Sequence, residues 1–157
     1  MKKERILKKD WPEFLKTFNA QHQFRPVRVL VDEQELCHDL PFMGLVYEPK
    51  TKEVEVFVGG VDVEHPNHLV HTLASPRAVY VLRENGEVKG IEVHSAKEPK
   101  VVVEFLGPPE EAQRVKRELI EKIAYELYLR RGQEPGKALD DWLEAESIVE
   151  RFAKLYV

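Results

Sequence analysis

Along the first part of the chain the apolar residues Trp11, Phe14, Leu15 and Phe18 recur at i, i+3, i+4 and i+7. That spacing lines one face of a short helix and marks the aromatics as its core stripe. Asp10 and Glu13 stand three residues apart ahead of the run, which predicts a capping box, and Pro12 falls where a helix loses no hydrogen bond. From Arg25 to Leu106 the period shortens. RPVRVLV, MGLVYE, KEVEVFVG, RAVYVLRE, EVKGIEVH and KVVVEFL are short, rich in β-branched residues and often alternating, so about six strands are expected. Asn85-Gly86 between two of these runs has the chemistry of a type I′ hairpin turn, and YEPKTKEV and HSAKEPKV read as hairpins too. Turns this short leave no room for crossover helices, which predicts an antiparallel meander sheet, curled toward a barrel or covered by the first helix.

After GPPEE the pattern turns helical. Over Glu110 to Arg131, Ala112, Val115, Leu119, Ile123 and Leu127 align on one face, and a second stripe runs through Ala138, Trp142, Ala145, Val149, Phe152 and Tyr156. Gly132 is placed to end the first helix in the left-handed conformation, with Pro135 and Gly136 turning the chain, so a C-terminal helical hairpin is expected with Trp142 as its core anchor. The outer apolar positions of such a pair, Ile120, Tyr128, Leu143 and Ile148, call for docking on the sheet or on another copy. The fold class is therefore α+β, divided into a helix-plus-sheet unit over residues 1–107 and the two-helix unit over 108–157.

With 157 residues, 43% of them hydrophobic, the chain can bury a core of ordinary size. No unbroken apolar run approaches a membrane span, and the start MKKERILKKDW lacks the apolar centre of a signal peptide, so the expected location is cytoplasmic and no membrane contact is expected. A net charge of −4 gives no blanket attraction to nucleic acid; only the first twenty residues are basic, which reads as a solvated terminus. The single cysteine, Cys37, cannot form an internal disulfide and reads as a small core residue.

One connection between strands is long. GVDVEHPNHLVHTLASP separates the strand ending near Gly59 from the one beginning near Arg77, and a long excursion in a compact sheet is where a site is expected. It carries His65, His68 and His71, the one cluster of metal-ligand residue types. Pro66 argues against a helix through all three, and the nearby Cys37, His38, Asp62 and Glu64 complete no known zinc pattern, so joint metal binding is not expected. The acids Asp140, Asp141, Glu144 and Glu146 belong to the first turns of the last helix, where they favour the exposed amide groups. Ser75, Ser95 and Ser147 sit in no nucleophile elbow, and VGGVD lacks the further glycine and lysine of a phosphate loop. No cofactor is implied.

Two portions resemble known families. WPEFLKTFNAQH, LPFMGLVYEP and HLVHTLASPRAVYV make residues 10–106 similar to the bacterial domain of unknown function 5335 family, and AYELYLRRG followed by DWLEAE makes residues 119–146 similar to the domain of unknown function 2934, its motif tryptophan falling on Trp142. Neither resemblance implies an activity, ligand or catalytic residue; together they imply a two-part layout. The function read from the sequence is a non-enzymatic binding, adaptor or regulatory module that engages a protein partner or a second copy of itself, with binding residues His65, His68 and His71. The alternative is a metal-dependent enzyme built on that histidine segment.

Overall fold

The computed structural model describes residues 1–59, 67–97 and 99–157. In chain order the elements are β1 (Lys2–Ile6), a 3-10 turn (Lys8–Asp10), α1 (Trp11–His22), β2 (Pro26–Val31), β3 (Gln34–Glu48), β4 (Glu53–Gly59), β5 (Asn67–Ala74), β6 (Pro76–Glu84), β7 (Glu87–Ser95), β8 (Val101–Phe105), α2 (Glu111–Arg130) and α3 (Ala138–Ala153). All strand pairs are antiparallel, in the order β1-β6-β7-β8-β2-β3-β4-β5.

The sheet thus has eight strands where six were expected, and it stays open, with β1 and β5 as its edges. Both additional strands escape a pattern search for a physical reason. In β1, KKERI, only Ile6 is even half-buried, because an edge strand needs one inward residue and its backbone ladder to β6. In β5 a register shift opposite Val56 and Phe57 interrupts the alternation that would have revealed it. The segment expected as a long irregular excursion is therefore a strand from Asn67 onward.

β3 pairs with β2 over Gln34–Pro41 and with β4 over Phe42–Glu48, so one long strand belongs to two parts of the sheet. Only Ser75 separates β5, at one end of the strand order, from β6, near the other. The sheet must therefore curl until its ends approach. Ser75 makes the corner with φ of 53°, its amide donating to the Lys52 carbonyl at 2.9 Å. The predicted hairpin turn has Asn85 at φ 53° and Gly86 at φ 79°.

Inside the curl lies the main core: Trp11, Leu15 and Phe18 of α1 meet Val27, Leu45, Val56, Val81, Ile91 and Val103 from the strands. Asp10 does not form the expected capping box; it closes the 3-10 turn and makes no side-chain cap. Trp11 takes over the anchoring of this end, fully buried with its Nε1 donating to the Ile6 carbonyl at 3.0 Å.

α2 ends where Gly132 was placed for it. Gly132 has φ 78°, its amide donates to the Leu129 carbonyl and that of Gln133 to the Tyr128 carbonyl, which is a Schellman closure. α2 and α3 run antiparallel, since Lys116 near the start of α2 pairs with Glu150 near the end of α3, and Arg131 past the end of α2 pairs with Asp141 and Glu144 near the start of α3. Their seam, Ile123 and Leu127 against Ala145 and Val149, closes a second core with Met43, Val46 and Phe57 on the outer side of β3 and β4 and with Phe24 from the connection between α1 and β2. The helices therefore dock on the sheet.

Trp142 is half-buried, packed at the flank of this second core; the small Ala145 sits at the centre of the seam instead. Trp142→Ala should accordingly cost about 2 kcal/mol, less than the removal of a fully buried tryptophan, and lower the urea midpoint with m unchanged. Asp141, only 2% exposed, has Arg131 Nε 2.8 Å from its Oδ1, an ion pair without aligned hydrogen-bond geometry.

Candidate functional site

Where β3 parts from β4, its first half continues outward with only β2 beside it. The departure is fixed by Pro41 and Gly59: a Cβ on Gly59 would fall 2.3 Å from Pro41 Cγ, so glycine lets the end of β4 approach β3 closely. Beyond that contact the strands diverge, and a cavity of about 330 Å³ opens, lined by Leu36, Cys37, Leu40, Gly59, His68 and Val70. Two other cavities, of about 130 and 200 Å³, lie over α1 and beside α2.

The β5 register decides which side chains reach this groove. His68 stands opposite Val58 and His71 opposite Val56, with Leu69 opposite Phe57. Residues directly opposed across an antiparallel ladder share a face, and Val56 and Val58 belong to the main core. The bulge thus leaves Val70 as the additional residue, packed against that core beside His68. His68 is exposed at the rim; His71, three residues on, is half-buried and is not part of the cavity lining.

Of the three histidines singled out in the sequence, His65 lies outside the described residues, His68 lines the groove and His71 does not. Among the described residues no group of three or more His, Cys, Asp or Glu side chains is arranged to hold a metal ion. The sequence did not point to Leu36, Leu40 or Gly59, whereas Val70 falls within the excursion where a site was expected. The run LCHDLP does carry an apolar pair and a second leucine before a proline, but without alternation that signal marks no strand face.

Cys37 is half-buried and packs against the main core, as its size suggested, while also lining the groove. Burial raises its thiol pKa, a hydrogen bond with the Val29 backbone acts the other way, and Glu35 adds to the rise. The thiol is therefore held in its protonated form at neutral pH, the form that is a poor nucleophile. Glu35 itself is turned to His38, with Oε1 2.6 Å from Nδ1. Among the described residues the groove offers apolar walls, one imidazole and one neutral thiol.

No helix among the described residues is long and apolar enough to cross a membrane. No curated protein and no solved structure matches the chain. Two family matches do, and in the order the sequence implied: the protein of unknown function DUF2934 over residues 116–151, covering α3 nearly to its end, and the family of unknown function DUF5335 over residues 2–114, from β1 into the start of α2. The second match spans the whole eight-stranded sheet and most of the chain, and on it the protein belongs to the DUF5335 family.

Proposed function

We propose that this chain is a non-enzymatic binding module whose ligand occupies the groove between β3 and β5. The observation that carries this reading is the lining: about 330 Å³ of space walled by Leu36, Leu40, Gly59 and Val70, with His68 and the neutral Cys37 thiol as its polar groups and no charged side chain among the described residues. A volume of roughly 300–1,000 Å³ with apolar walls and a few placed polar groups is what small-molecule sites share. The ligand is a neutral, largely apolar molecule with one hydrogen-bonding group directed at His68. In this reading residues 1–107 carry the site, and residues 108–157 brace β3 and β4 from behind. His68 contributes a contact at the rim in this reading.

Titration with the neutral fluorophore Nile red tests the assignment. The wild-type chain should raise and blue-shift its emission with saturation, and Val70→Lys, which sets a charge at the groove wall, should weaken binding by about tenfold. Equal binding by the two proteins, with the urea midpoint showing both folded, would remove the groove as the site.

A further inference from the structure

The sheet has a second face with a chemistry of its own. The β1, β6, β7, β8 and β2 registers assemble two rows on the side away from the main core: Arg5, Tyr80, Glu92, Val102 and Leu30 in one, and Lys3, Leu82, Gly90, Glu104 and Arg28 in the next. The core side of the same strands is taken by Val79, Val81, Ile91, Val93, Val101 and Val103. The helices pack elsewhere, α1 in the main core and α2 with α3 in the second.

Glu92 organises this face. Its carboxylate is 4% exposed, and Oε2 lies 2.8 Å from both Lys3 Nζ and His94 Nε2, with Lys100 Nζ 3.6 Å from Oε1. Burial alone would raise the Glu92 pKa, but the Lys3 and His94 bonds and the charges of Lys3 and Lys100 hold it below the ordinary glutamate value. The acid is thus underneath and the cations are on top: Lys3 and Lys100 keep 49% and 39% of their side chains exposed. Lys3 Nζ also lies 6.0 Å from the Tyr80 ring centroid.

Arg28 is matched by Glu104 at 3.0 Å, whereas Arg5 has no ion-pair partner among the described residues. Four basic side chains, Lys3, Arg5, Arg28 and Lys100, therefore face three acids, Glu92, Glu104 and Glu35, the last opposite Leu30 and turned to His38, on a chain whose net charge is −4. Between the cations run the half-buried apolar groups of Tyr80, Val102 and Leu30.

We propose that this face docks an acidic segment of a partner polypeptide, its carboxylates set against Arg5, Lys3 and Lys100 and its apolar side chains over Tyr80, Val102 and Leu30. Charge complementarity of this kind selects the partner and speeds its arrival. A polynucleotide fits less well, because it brings a charge at every unit and seeks several stacking rings, while this face offers a small excess of cations and a single tyrosine. The inference stands on a different observation from the groove and does not depend on it.

Fluorescence anisotropy with a labelled peptide of alternating glutamate and valine, at low ionic strength, tests the proposal on the full chain. The double variant Arg5→Glu with Lys100→Glu keeps the Lys3 and His94 bonds to Glu92, gives up its longer ion pair with Lys100, and should weaken binding by about tenfold or more. The neutral pair Arg5→Gln with Lys100→Gln should fall between it and wild type, and it serves if charge reversal perturbs folding. Arg151→Glu with Lys154→Glu, the same change of net charge at the C-terminal end of the chain, should leave affinity within about twofold. Absence of binding by the wild-type chain, equal weakening by the two charge reversals, or tighter binding of labelled oligouridylate than of the peptide would each overturn it.

Discussion

Replacing Asn19 by leucine should cost about 4 kcal/mol and shift the urea midpoint sharply downward with m unchanged. Asn19 is 1% exposed on the inner side of α1 and behaves as a short piece of strand. Its Nδ2 donates to the Leu45 carbonyl at 3.1 Å and the Tyr156 carbonyl at 2.9 Å, and its Oδ1 accepts from the Leu45 amide at 3.0 Å. Leucine has the same branched outline, though it is bulkier, and supplies none of these bonds, so it leaves one buried amide and two carbonyls unsatisfied, each at about 1–3 kcal/mol less whatever relaxation recovers. Gln23, just past α1, makes a parallel pair of bonds to the Met43 and Ala153 carbonyls, both at 2.8 Å. It is half-exposed, so its loss is met by water, and Gln23→Leu should cost clearly less than Asn19→Leu. Equal losses at the two positions would contradict the account of Asn19 as a buried splice between α1, β3 and the end of the C-terminal helices.

Stability should also fall steeply as the solution is acidified from about pH 6.5 toward 4, by roughly 3 kcal/mol at most. The group responsible is His22, whose pKa is lowered to about 4 by burial first, then by the charges of Arg25 and Arg83. Its ring is 8% exposed and wedged among Phe18, Phe105 and the Arg25 guanidinium, with Nδ1 3.1 Å from Nη1. Arg25 is itself buried, lies 3.9 Å from the centroid of the Phe105 ring and donates to the Gly107 carbonyl at 2.9 Å, so a second positive charge has no place beside it. Above pH 6.5 the imidazole is neutral in both the folded and unfolded chain, and the folded state keeps its full stability. Below that value the unfolded chain takes up a proton that the folded one refuses, until the folded histidine titrates as well near 4. His22→Gln keeps an acceptor for Arg25 and cannot titrate. It should flatten the pH dependence between 6.5 and 4.5, above the range where Glu92, held below its ordinary value, begins to contribute. An unchanged slope in urea unfolding across that interval would assign the acid sensitivity to another group.

The legibility of this chain follows local physics. The Trp11 to Phe18 stripe, the Asn85-Gly86 turn and the Gly132 stop were readable because each is decided within a few residues. β1 was not readable, because its ladder to β6 joins residues nearly eighty apart and asks almost nothing of its side chains. The groove was half readable. The excursion between strands drew notice to His68, but its walls come from Leu36 and Leu40, and only the bend of β3 away from β4 brings them across from β5. The acids at the start of α3 belonged to local reasoning and still needed tertiary information: Asp141 and Glu144 are tied to Arg131 across the turn.

The strand order also dictates how such a chain can reach its structure. β2 through β5 and β6 through β8 each join neighbours in sequence, while β2 and β8 pair Val31 with Val101 and Val27 with Phe105, closing a loop of about seventy residues in a single step. Local ladders of this kind form early and non-local closures late, since the entropy of the loop is lost before the contact rewards it. The equally distant β1 ladder only adds an edge to β6, so the β2 and β8 ladder, which joins the two meanders, is the expected rate-limiting gate. Weakening substitutions at Val29 or Val103 should slow refolding, whereas comparable losses at Val54 or Leu73, inside the local β4 and β5 ladder, should leave the refolding rate nearly unchanged and appear as faster unfolding.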